Sequence, residues 1–580
     1  MSRSSRLRVS AYVFGALATA AIGVREAHAC GGFFCNSPPP DGSLPIAQAA
    51  ENVLFVLDTD PATGAHRVEA HIQIAYTGPA TSFSWIVPVT AVPTVDVGWD
   101  ILFDRIEPPT RPSFQVMRGI EGKCQGGGSD VGCGGGASAT KAGSVADGGQ
   151  SSMPVVDVLS QGSVGPFDYE VVRSEDGATL RTWLTENGYF VSDEGAKIVD
   201  DYVATGHSFV AVRLKVGQDT SAIRPIILRL ESPEACLPLK LTAIASTPDL
   251  RINVWVLAAA RAIPINYAEI AVNLAKIDWF NFGRNYDQLL QEAANEAQGN
   301  AFAVEYAQGS AAAVGWMTVY AGARSTLATQ PDPASYLRAL ANAGVTPTSA
   351  VAQVLRKYIP MPPALKTQGV SESQFYANIQ SYWNSNPSGF APFDPVALTA
   401  ELEAEVLQPM DKLRPLFETN AYLTRLATFI SPEEMTKDPL FVTNARLPDV
   451  SPQHSASATL LCGDEEFSMC EAPVRIALDD GRTIYYAGGG CGGAPPRTDI
   501  DRMPSAEVAW NRDPDTEGQV VLDNRAAITK AIAAHNATVP TPDSGCGCSL
   551  RARPRHATIL VLVAAVAFLA VRRGRARARR

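Results

Sequence analysis

The sequence predicts an α+β fold in which most strands pair antiparallel. Patterns with a period of two recur in bursts through residues 30–283, around only two short helical patterns. From residue 284 the apolar residues recur with a helical period, and short β patterns return after residue 430. Strands in bursts are typical of α+β proteins. We therefore expect an α+β domain (30–283), a helical region (284–430) and a β-leaning region with a terminal helix (431–536).

The first two strand patterns predict a hairpin. His66–Tyr76 alternates between apolar and polar residues, and it follows Asn52–Leu57 through a loop rich in turn formers, residues 58–64. Ser82–Val89 is a third predicted strand, and Pro88 favours an edge strand or a strand end because proline cannot donate to a ladder.

A glycine-rich stretch, residues 122–150, follows these strands. It lacks the apolar residues of a core, so we expect an exposed loop. No Gly-Lys-Ser/Thr sequence closes it, which argues against a phosphate-binding loop.

Regular structure resumes with Phe167–Val172, and two helices and four further strands complete the predicted first domain. Asp176–Asn187 has one apolar face and Gly188 as its stop, and Ser192 is a typical N-cap for the second helix. The predicted strands that follow are Phe209–Val216, Pro225–Leu230, Leu239–Ala245 and Ile252–Leu257.

The helical region contains clear start signals. Asp394 followed by Pro395 predicts a helix that runs to Pro409, and Met410–Phe429 continues the helical period. In the β-leaning region, Val474–Leu478 and Thr483–Tyr486 predict a hairpin, and the last helix is expected over Asn524–Asn536.

The amino terminus has the features of an export signal over residues 1–29. Arginines precede an apolar stretch, and the small residues around Ala29 are typical of a signal-peptidase site. Cleavage there would make Cys30 the first mature residue. An ordinary half-cystine is favoured over a lipid-modified cysteine, because a lipobox normally has leucine where this chain has Ala27.

The carboxyl terminus has three parts in order. A linker with the pair Cys546 and Cys548 (537–556) precedes an apolar transmembrane segment (557–571) and a cytoplasmic arginine-rich tail (572–580). Fifteen residues span about 22 Å as a helix, short of a bilayer core, so the anchor is marginal. The arrangement resembles myxobacterial C-terminal sorting signals, which implies a sorting protease that cuts near the cysteines. A plain tail anchor is the alternative.

Charge and cysteine usage agree with export to an oxidising compartment. Removing the nine arginines after Cys548 and the net three positive charges before Cys30 from the formal −11 leaves about −23, which argues against nucleic acid as a partner. Eight cysteines outside the tail are disulfide candidates. The local pairings expected are Cys30–Cys35, Cys124–Cys133, and Cys462–Cys470 or Cys470–Cys491, which leaves Cys236 for a distant partner or a buried, reduced state.

Catalytic and metal-binding patterns are mostly missing from the sequence. Gly206-His207-Ser208 lacks the second glycine of a nucleophile elbow, so a plain strand start is expected there. Asp58 and Asp60 are the candidate calcium ligands, although their spacing matches no dedicated calcium loop. No catalytic residue, other metal site or other cofactor is predicted.

Several stretches form a recognisable set: Ala29–Cys35, the strands Asn52–Leu57 and Val68–Tyr76, Ser84–Val89, Glu231–Lys240, Arg261–Tyr267 and, later, Ser431–Thr436. Together they resemble a family of exported bacterial proteins, domain of unknown function 2330. The resemblance implies no activity and no site residues, and the glycine-rich stretch departs from the family pattern.

Together these features favour an exported, membrane-anchored cell-envelope protein whose bulk lies outside the cytoplasm. A non-enzymatic structural, adhesive or binding role fits the missing catalytic groups, with an unspecified extracellular ligand. The alternative is a secreted or surface hydrolase with a dispersed site.

Overall fold

The computed structural model describes residues 47–77, 84–125, 156–189, 191–215, 223–244, 246–488 and 497–542. These residues confirm the α+β class. The predicted signal peptide, most of the glycine-rich stretch and the carboxyl-terminal segments from residue 543 lie outside the described residues. Within the described ranges, no helix combines the length and apolar character needed to cross a bilayer.

The strands that the structure describes form four sheets. The described strands are β1 (Ala47–Thr59), β2 (His66–Thr77), β3 (Ser84–Val89), β4 (Thr94–Val97), β5 (Ser113–Gln125), β6 (Asp157–Val164), β7 (Phe167–Arg173), β8 (Ser208–Leu214), β9 (Ile226–Glu231), β10 (Ala235–Cys236), β11 (Ser246–Ala258), β12 (Ala262–Pro264), β13 (Ala268–Val272), β14 (Ala301–Gly309), β15 (Tyr422–Ile430), β16 (Leu440–Thr443), β17 (Gln453–Ser468), β18 (Val474–Leu478), β19 (Thr483–Tyr486), β20 (Ala506–Asp513) and β21 (Thr516–Asp523).

Helices surround the sheets and fill the middle of the chain. The described helices are α1 (Ile101–Thr110), α2 (Gly177–Glu186), α3 (Asp193–Ala204), α4 (Leu239–Thr242), α5 (Tyr286–Glu296), α6 (Ala311–Trp316), α7 (Ala321–Arg324), α8 (Pro333–Asn342), α9 (Ser349–Tyr358), α10 (Pro363–Thr367), α11 (Glu372–Ala377), α12 (Ile379–Ser385), α13 (Pro395–Leu402), α14 (Gln408–Thr419), α15 (Thr498–Asp501) and α16 (Arg525–Asn536).

One large sheet organises the molecule. Its ten strands lie in the order β21-β20-β13-β14-β15-β11-β1-β2-β9-β4, so it takes strands from all three regions predicted from the sequence. The smaller sheets are β3-β8-β7-β6, β19-β18-β17-β5 and β10-β16-β12. Pairs β1–β11, β13–β14 and β5–β17 are parallel, and the other strand pairs described are antiparallel.

The two faces of the large sheet bury different partners because side chains alternate along a strand. On β1, Val53 and Phe55 pack toward the sheet β3-β8-β7-β6, whereas Leu54 and Val56 pack against the helices of the middle region. The sheet β3-β8-β7-β6 also buries both of its faces. One face packs against the large sheet, and the other packs against α2 and α3. The layers are therefore helices, large sheet, small sheet and helices.

A buried ion pair lies at the centre of the large sheet. Arg425 Nε on β15 is 2.8 Å from Glu305 Oε2 on β14, and neither side chain is exposed. The same guanidinium donates to the carbonyl oxygen of Glu107 on α1 (3.0 Å) and to Asn253 Oδ1 on β11 (3.1 Å). Burial lowers the pKa of Arg425, and the nearby carboxylate of Glu305 opposes that shift. The ion pair and these hydrogen bonds therefore connect β14, β15 and β11 to α1.

Disulfide connectivity differs from the local pairings expected. Cys124 at the end of β5 is bonded to Cys462 on β17, 338 residues later, so Cys124–Cys133 and Cys462–Cys470 are wrong. The parallel pairing of β5 with β17 brings these two cysteines together. Cys470 is also disulfide-bonded, and Cys470–Cys491 stays a prediction because residue 491 lies outside the described residues.

Three predicted elements need correction. Leu239–Ala245 was expected as a strand, but Leu239–Thr242 is a short helix. Met410–Phe429 was expected to be helical throughout, but Tyr422–Ile430 is a strand. The helix was expected to be interrupted at Pro409, but the irregularity lies before this residue, in a π-helical turn at Glu403–Leu407. The chain then continues into α14 with Pro409 in the first turn of that helix.

Glu51 on β1 is buried between the two facing sheets, and no lysine or arginine in the described part of the chain pairs with it. Gln48 Nε2 donates to its carboxylate at 2.8 Å. Desolvation by burial raises the pKa of Glu51 to about 7 from 4.5. The folded protein therefore holds a proton that the unfolded chain releases across this interval.

We expect Glu51→Gln to stabilise the protein at pH 8 and to have little effect at pH 4.5. Because the pKa of Glu51 is raised in the folded state, the free energy of unfolding falls as pH rises from about 4.5 to 7. The neutral amide of glutamine removes the cost of ionising this buried carboxyl group, which is up to about 3 kcal/mol. Urea denaturation at several pH values measures this. Glu175→Gln, at an exposed position, is the control, and an equal gain at both pH values would contradict the assignment.

We expect Glu305→Ala to lower the free energy of unfolding by about 3–5 kcal/mol, because Arg425 would remain buried without its counter-ion. Glu121→Ala is the matched control. Glu121 also pairs with an arginine, at 2.8 Å, but its side chain is 60% exposed, so its loss should cost at most about 1 kcal/mol. Chemical denaturation compares the two. Similar costs would show that burial does not set the strength of the central pair.

Candidate functional site

A cleft opens where the large sheet meets the β3-β8-β7-β6 and β10-β16-β12 sheets. Its mouth has a volume of about 490 Å³, within the range of ligand pockets. It narrows to a throat of about 60 Å³ between the facing sheets. We call it the inter-sheet cleft. The residues that line both mouth and throat are Thr90, His207, Ser232, Glu234, Cys236 and Asp438.

Four of the stretches that carry the family resemblance meet at this cleft. Pro88 lies on β3, Cys236 forms β10, Asn266 follows β12, and Thr436 precedes β16. The segments are far apart in the chain, and the pairing of β16 with both β10 and β12 brings three of them together. This convergence makes the cleft the candidate functional site.

Asp438 is the central polar group of the cleft. Its Oδ2 accepts a hydrogen bond from the Tyr202 hydroxyl at 2.6 Å, and its Oδ1 accepts one from the Lys240 backbone amide at 2.9 Å. Burial raises the pKa of Asp438, and these hydrogen bonds oppose the shift. Burial also raises the pKa of Tyr202, so its phenol stays protonated and serves as a donor.

His207 and Lys240 contact the same tyrosine. The His207 ring packs edge-on against Tyr202, and its Nδ1 is 2.9 Å from Thr205 Oγ1. Burial lowers the pKa of His207, so the imidazole is neutral at pH 7. Lys240 Nζ lies 5.0 Å from the Tyr202 ring centre and 3.2 Å from Asp201 Oδ2. The lysine thus completes a small polar cluster beside the mouth.

Cys236 is the free cysteine among the described residues, and its surface is exposed in the cleft. Desolvation around the sulfur raises the pKa of its thiol to about 12, and Asp438 and Glu234 add to the shift. A catalytic cysteine needs the opposite, a thiolate stabilised by a cation or a paired base. The cleft therefore holds a neutral thiol beside a neutral imidazole.

The throat below these groups is apolar. Phe55, Val68, Ala70, Ile72, Val87 and Val89 line it from the facing sheets. An apolar cavity beneath polar donors and acceptors can hold an apolar side chain while the ligand's polar part stays at the mouth.

The acidic pair predicted for calcium has other roles in the structure. Asp60 Oδ1 accepts from the amides of Ala62 and Thr63, and its carboxylate pairs with Arg67. Asp58 accepts from the following amide, that of Thr59. Over the described ranges, no group of three or more His, Cys, Asp or Glu side chains is placed to hold a metal ion.

Other predicted site residues fall on segments without a description. Ala29, Cys30, Cys35, Cys133, Cys491, Cys546 and Cys548 lie outside the described residues. The strand start expected at Gly206–Ser208 is confirmed, since β8 begins at Ser208. The cleft cluster itself was not predicted, because Tyr202 and Asp438 are 236 residues apart.

We expect Asp438→Ala to lower the free energy of unfolding by about 2–3 kcal/mol, because the Tyr202 hydroxyl and the Lys240 amide would both lose their acceptor. Asp438→Asn keeps one of the two acceptor oxygens, so it should cost about half as much. Chemical denaturation at pH 7 measures both. Equal effects of Asn and Ala would contradict the two-acceptor role.

Comparison with known proteins identifies the family. A family model described as an uncharacterised protein conserved in bacteria, DUF2330, matches residues 48–441. The match includes the cleft residues from Thr90 to Asp438. Neither the curated proteins nor the solved structures gave a match. The chain therefore belongs to the DUF2330 family, as its sequence motifs predicted.

Proposed function

We propose that this protein is exported, is delivered to the cell envelope by its carboxyl-terminal sorting signal, and acts by binding rather than catalysis. The inter-sheet cleft is its binding site, and the ligand places an apolar group in the throat and its polar part at the mouth. The observation that carries this proposal is the combination of an apolar throat with a rim of unactivated polar groups.

Disulfide bonds support the proposed compartment. Cys124–Cys462 and the disulfide of Cys470 are of the kind that forms in oxidising environments and is rare in the cytosol. The acidic charge of residues 30–548 fits a solvent-facing body and not a nucleic-acid partner. The apolar segment 557–571 and the arginines after it supply the membrane contact before processing, and the proposed processing partner is a sorting protease that cuts near Cys546 and Cys548.

A surface hydrolase is the alternative function. The proximity of Cys236, His207 and Asp438 in one cleft favours it. However, the described contacts of His207 Nδ1 and of the Asp438 carboxylate involve other groups, Thr205 and Tyr202. Cys236 also has a pKa of about 12, so general-base activation would start from a poorly ionised thiol. Binding is the better-supported role.

Fractionation of the producing cells tests export and anchoring. We expect the native chain in the envelope fraction, without residues 1–29 and cut near Cys546 and Cys548. Replacing both cysteines by serine should block that cut and leave the arginine tail detectable by mass spectrometry. Cys133→Ser is the matched control, since it removes a thiol outside the sorting motif. Recovery of the full-length chain in the cytosol would refute the proposal.

A further inference from the structure

The two levels of the inter-sheet cleft differ in size, and this difference limits the apolar group that can enter. The throat has a volume of about 60 Å³, whereas the mouth above it has a volume of about 490 Å³. A buried apolar cavity of about 150 Å³ holds one benzene molecule. The throat is therefore too small for an aromatic ring, and it fits a short branched aliphatic group.

Glu234 gives the cleft a negative charge that the protein does not neutralise. Its side chain lines both mouth and throat, and no lysine or arginine of the described ranges forms an ion pair with it. The Ser232 hydroxyl donates to the carbonyl oxygen of Glu234 at 2.8 Å and so fixes the turn that holds this carboxylate at the mouth. The residue is only partly buried, so a charged ligand can reach it from solvent.

The other charged groups of the mouth have partners within the protein. Both carboxylate oxygens of Asp438 accept hydrogen bonds from protein donors. The Lys240 ammonium pairs with Asp201 at 3.2 Å, and the Lys437 ammonium donates to the carbonyl oxygen of Asn266. The carboxylate without a counter-ion therefore sets the charge that the mouth prefers in a ligand.

The environment of Cys236 agrees with a preference for cations. This residue lies where the mouth meets the throat, and the negative charges of Asp438 and Glu234 both raise the pKa of its thiol. The electrostatic potential at this point is therefore negative. Such a potential attracts an ammonium group and repels a carboxylate.

The His207 ring adds a hydrogen-bond acceptor to the cleft. The Thr205 hydroxyl donates its single proton to the carbonyl oxygens of Asp201 and Tyr202, both at 3.0 Å. Toward His207 Nδ1, which is 2.9 Å away, this hydroxyl can therefore only accept, so the ring proton is assigned to Nδ1. The Nε2 atom of the neutral ring is then an acceptor, which suits an N–H donor on the ligand.

We infer that the ligand of the inter-sheet cleft is a primary amine joined to a short branched aliphatic group. The aliphatic group occupies the throat, and the protonated amine lies at the mouth, where its N–H groups donate to Glu234 and to His207 Nε2. This inference rests on the proposed function, because it names the chemical class that the proposed binding site takes.

Four small probes that differ in one property at a time test the inference on the exported chain at pH 7. They are isoamylamine, isoamyl alcohol, isovalerate and phenethylamine, and ligand-detected NMR titration measures the Kd of each. The alkyl amines are protonated at this pH. We expect isoamylamine to bind at least about tenfold more tightly than the other three, because it alone combines the charge and the size that the cleft accepts.

The four probes separate failure of this inference from failure of the proposed function. Equal or tighter binding of the alcohol or the carboxylate would overturn the ammonium ligand and leave the cleft as the binding site. Equal binding of phenethylamine would overturn the short aliphatic group. If none of the four binds, the inference is overturned and the cleft loses its support as the binding site of the proposed function.

A charge-neutral variant tests the role of Glu234. Glu234→Gln should weaken the binding of isoamylamine about tenfold and leave the Kd of isoamyl alcohol unchanged, because the amide keeps the shape and loses the charge. Glu231→Gln is the matched control, since it makes the same change of charge at an exposed position outside the cleft lining. Equal weakening by both variants would show that net charge attracts the amine, and it would overturn the assignment to Glu234.

One further probe identifies the source of the amine. The peptide leucyl-glycyl-glycine carries an α-amino group beside the same type of branched side chain, and the mouth is large enough to admit part of its backbone. Tighter binding of this peptide than of isoamylamine would support the inference with a peptide amino terminus as the ligand. Tighter binding of isoamylamine would support it with a free amine as the ligand, and binding of neither would overturn it.

Discussion

The central constraint on this fold is the burial of a charge within its largest sheet. The guanidinium of Arg425 has no access to water, so its groups must find partners inside the protein. Glu305, Asn253 and the last turn of α1 supply them, and the Trp255 ring lies 4.9 Å away. A one-residue slip of β15 would turn this charge into the apolar layer between the sheets. The arginine therefore fixes the register of strands that are remote in sequence.

A row of polar side chains extends this constraint across the sheet. Asn253 on β11 donates to Asn52 on β1, Asn52 donates to Gln73 on β2, and Gln73 donates to Asp100 at the start of α1. Both ends of α1 are thus hydrogen-bonded to the same face of the large sheet. The start of the helix is bonded through Asp100, and its last turn is bonded through the carbonyl oxygen of Glu107. The opposite face of these strands is apolar and forms the floor of the inter-sheet cleft. The fixed register therefore also places the cleft residues Phe55, Val68 and Ile72.

The sequence predicted well the elements that depend on neighbouring residues, and it predicted poorly which distant segments contact one another. The Asp394 cap, the stop at Gly188 and the hairpin over 474–486 depend on neighbouring residues, and each is present. Strand β15 was missed because both of its faces are buried and Arg425 breaks its apolar alternation, so no period of two remains. Cys124–Cys462 and the Tyr202–Asp438 contact depend on how distant strands meet. Within the site, the sequence singled out the Glu231–Lys240 segment but gave no sign that His207 and Asp438 join it.

Burial decides what the cleft can do. The same desolvation that keeps the Cys236 thiol protonated makes its sulfur a poor leaving group in thiol–disulfide exchange, because a high thiol pKa slows departure. Attack on a disulfide at this position would therefore be directed to release the other sulfur, and the neutral His207 offers no cationic assistance to the Cys236 side. A cleft with these properties does not suit thiol-based catalysis, in which the sulfur must be released at every turnover. The apolar surroundings that disqualify Cys236 as a nucleophile thus also disqualify its sulfur as a leaving group.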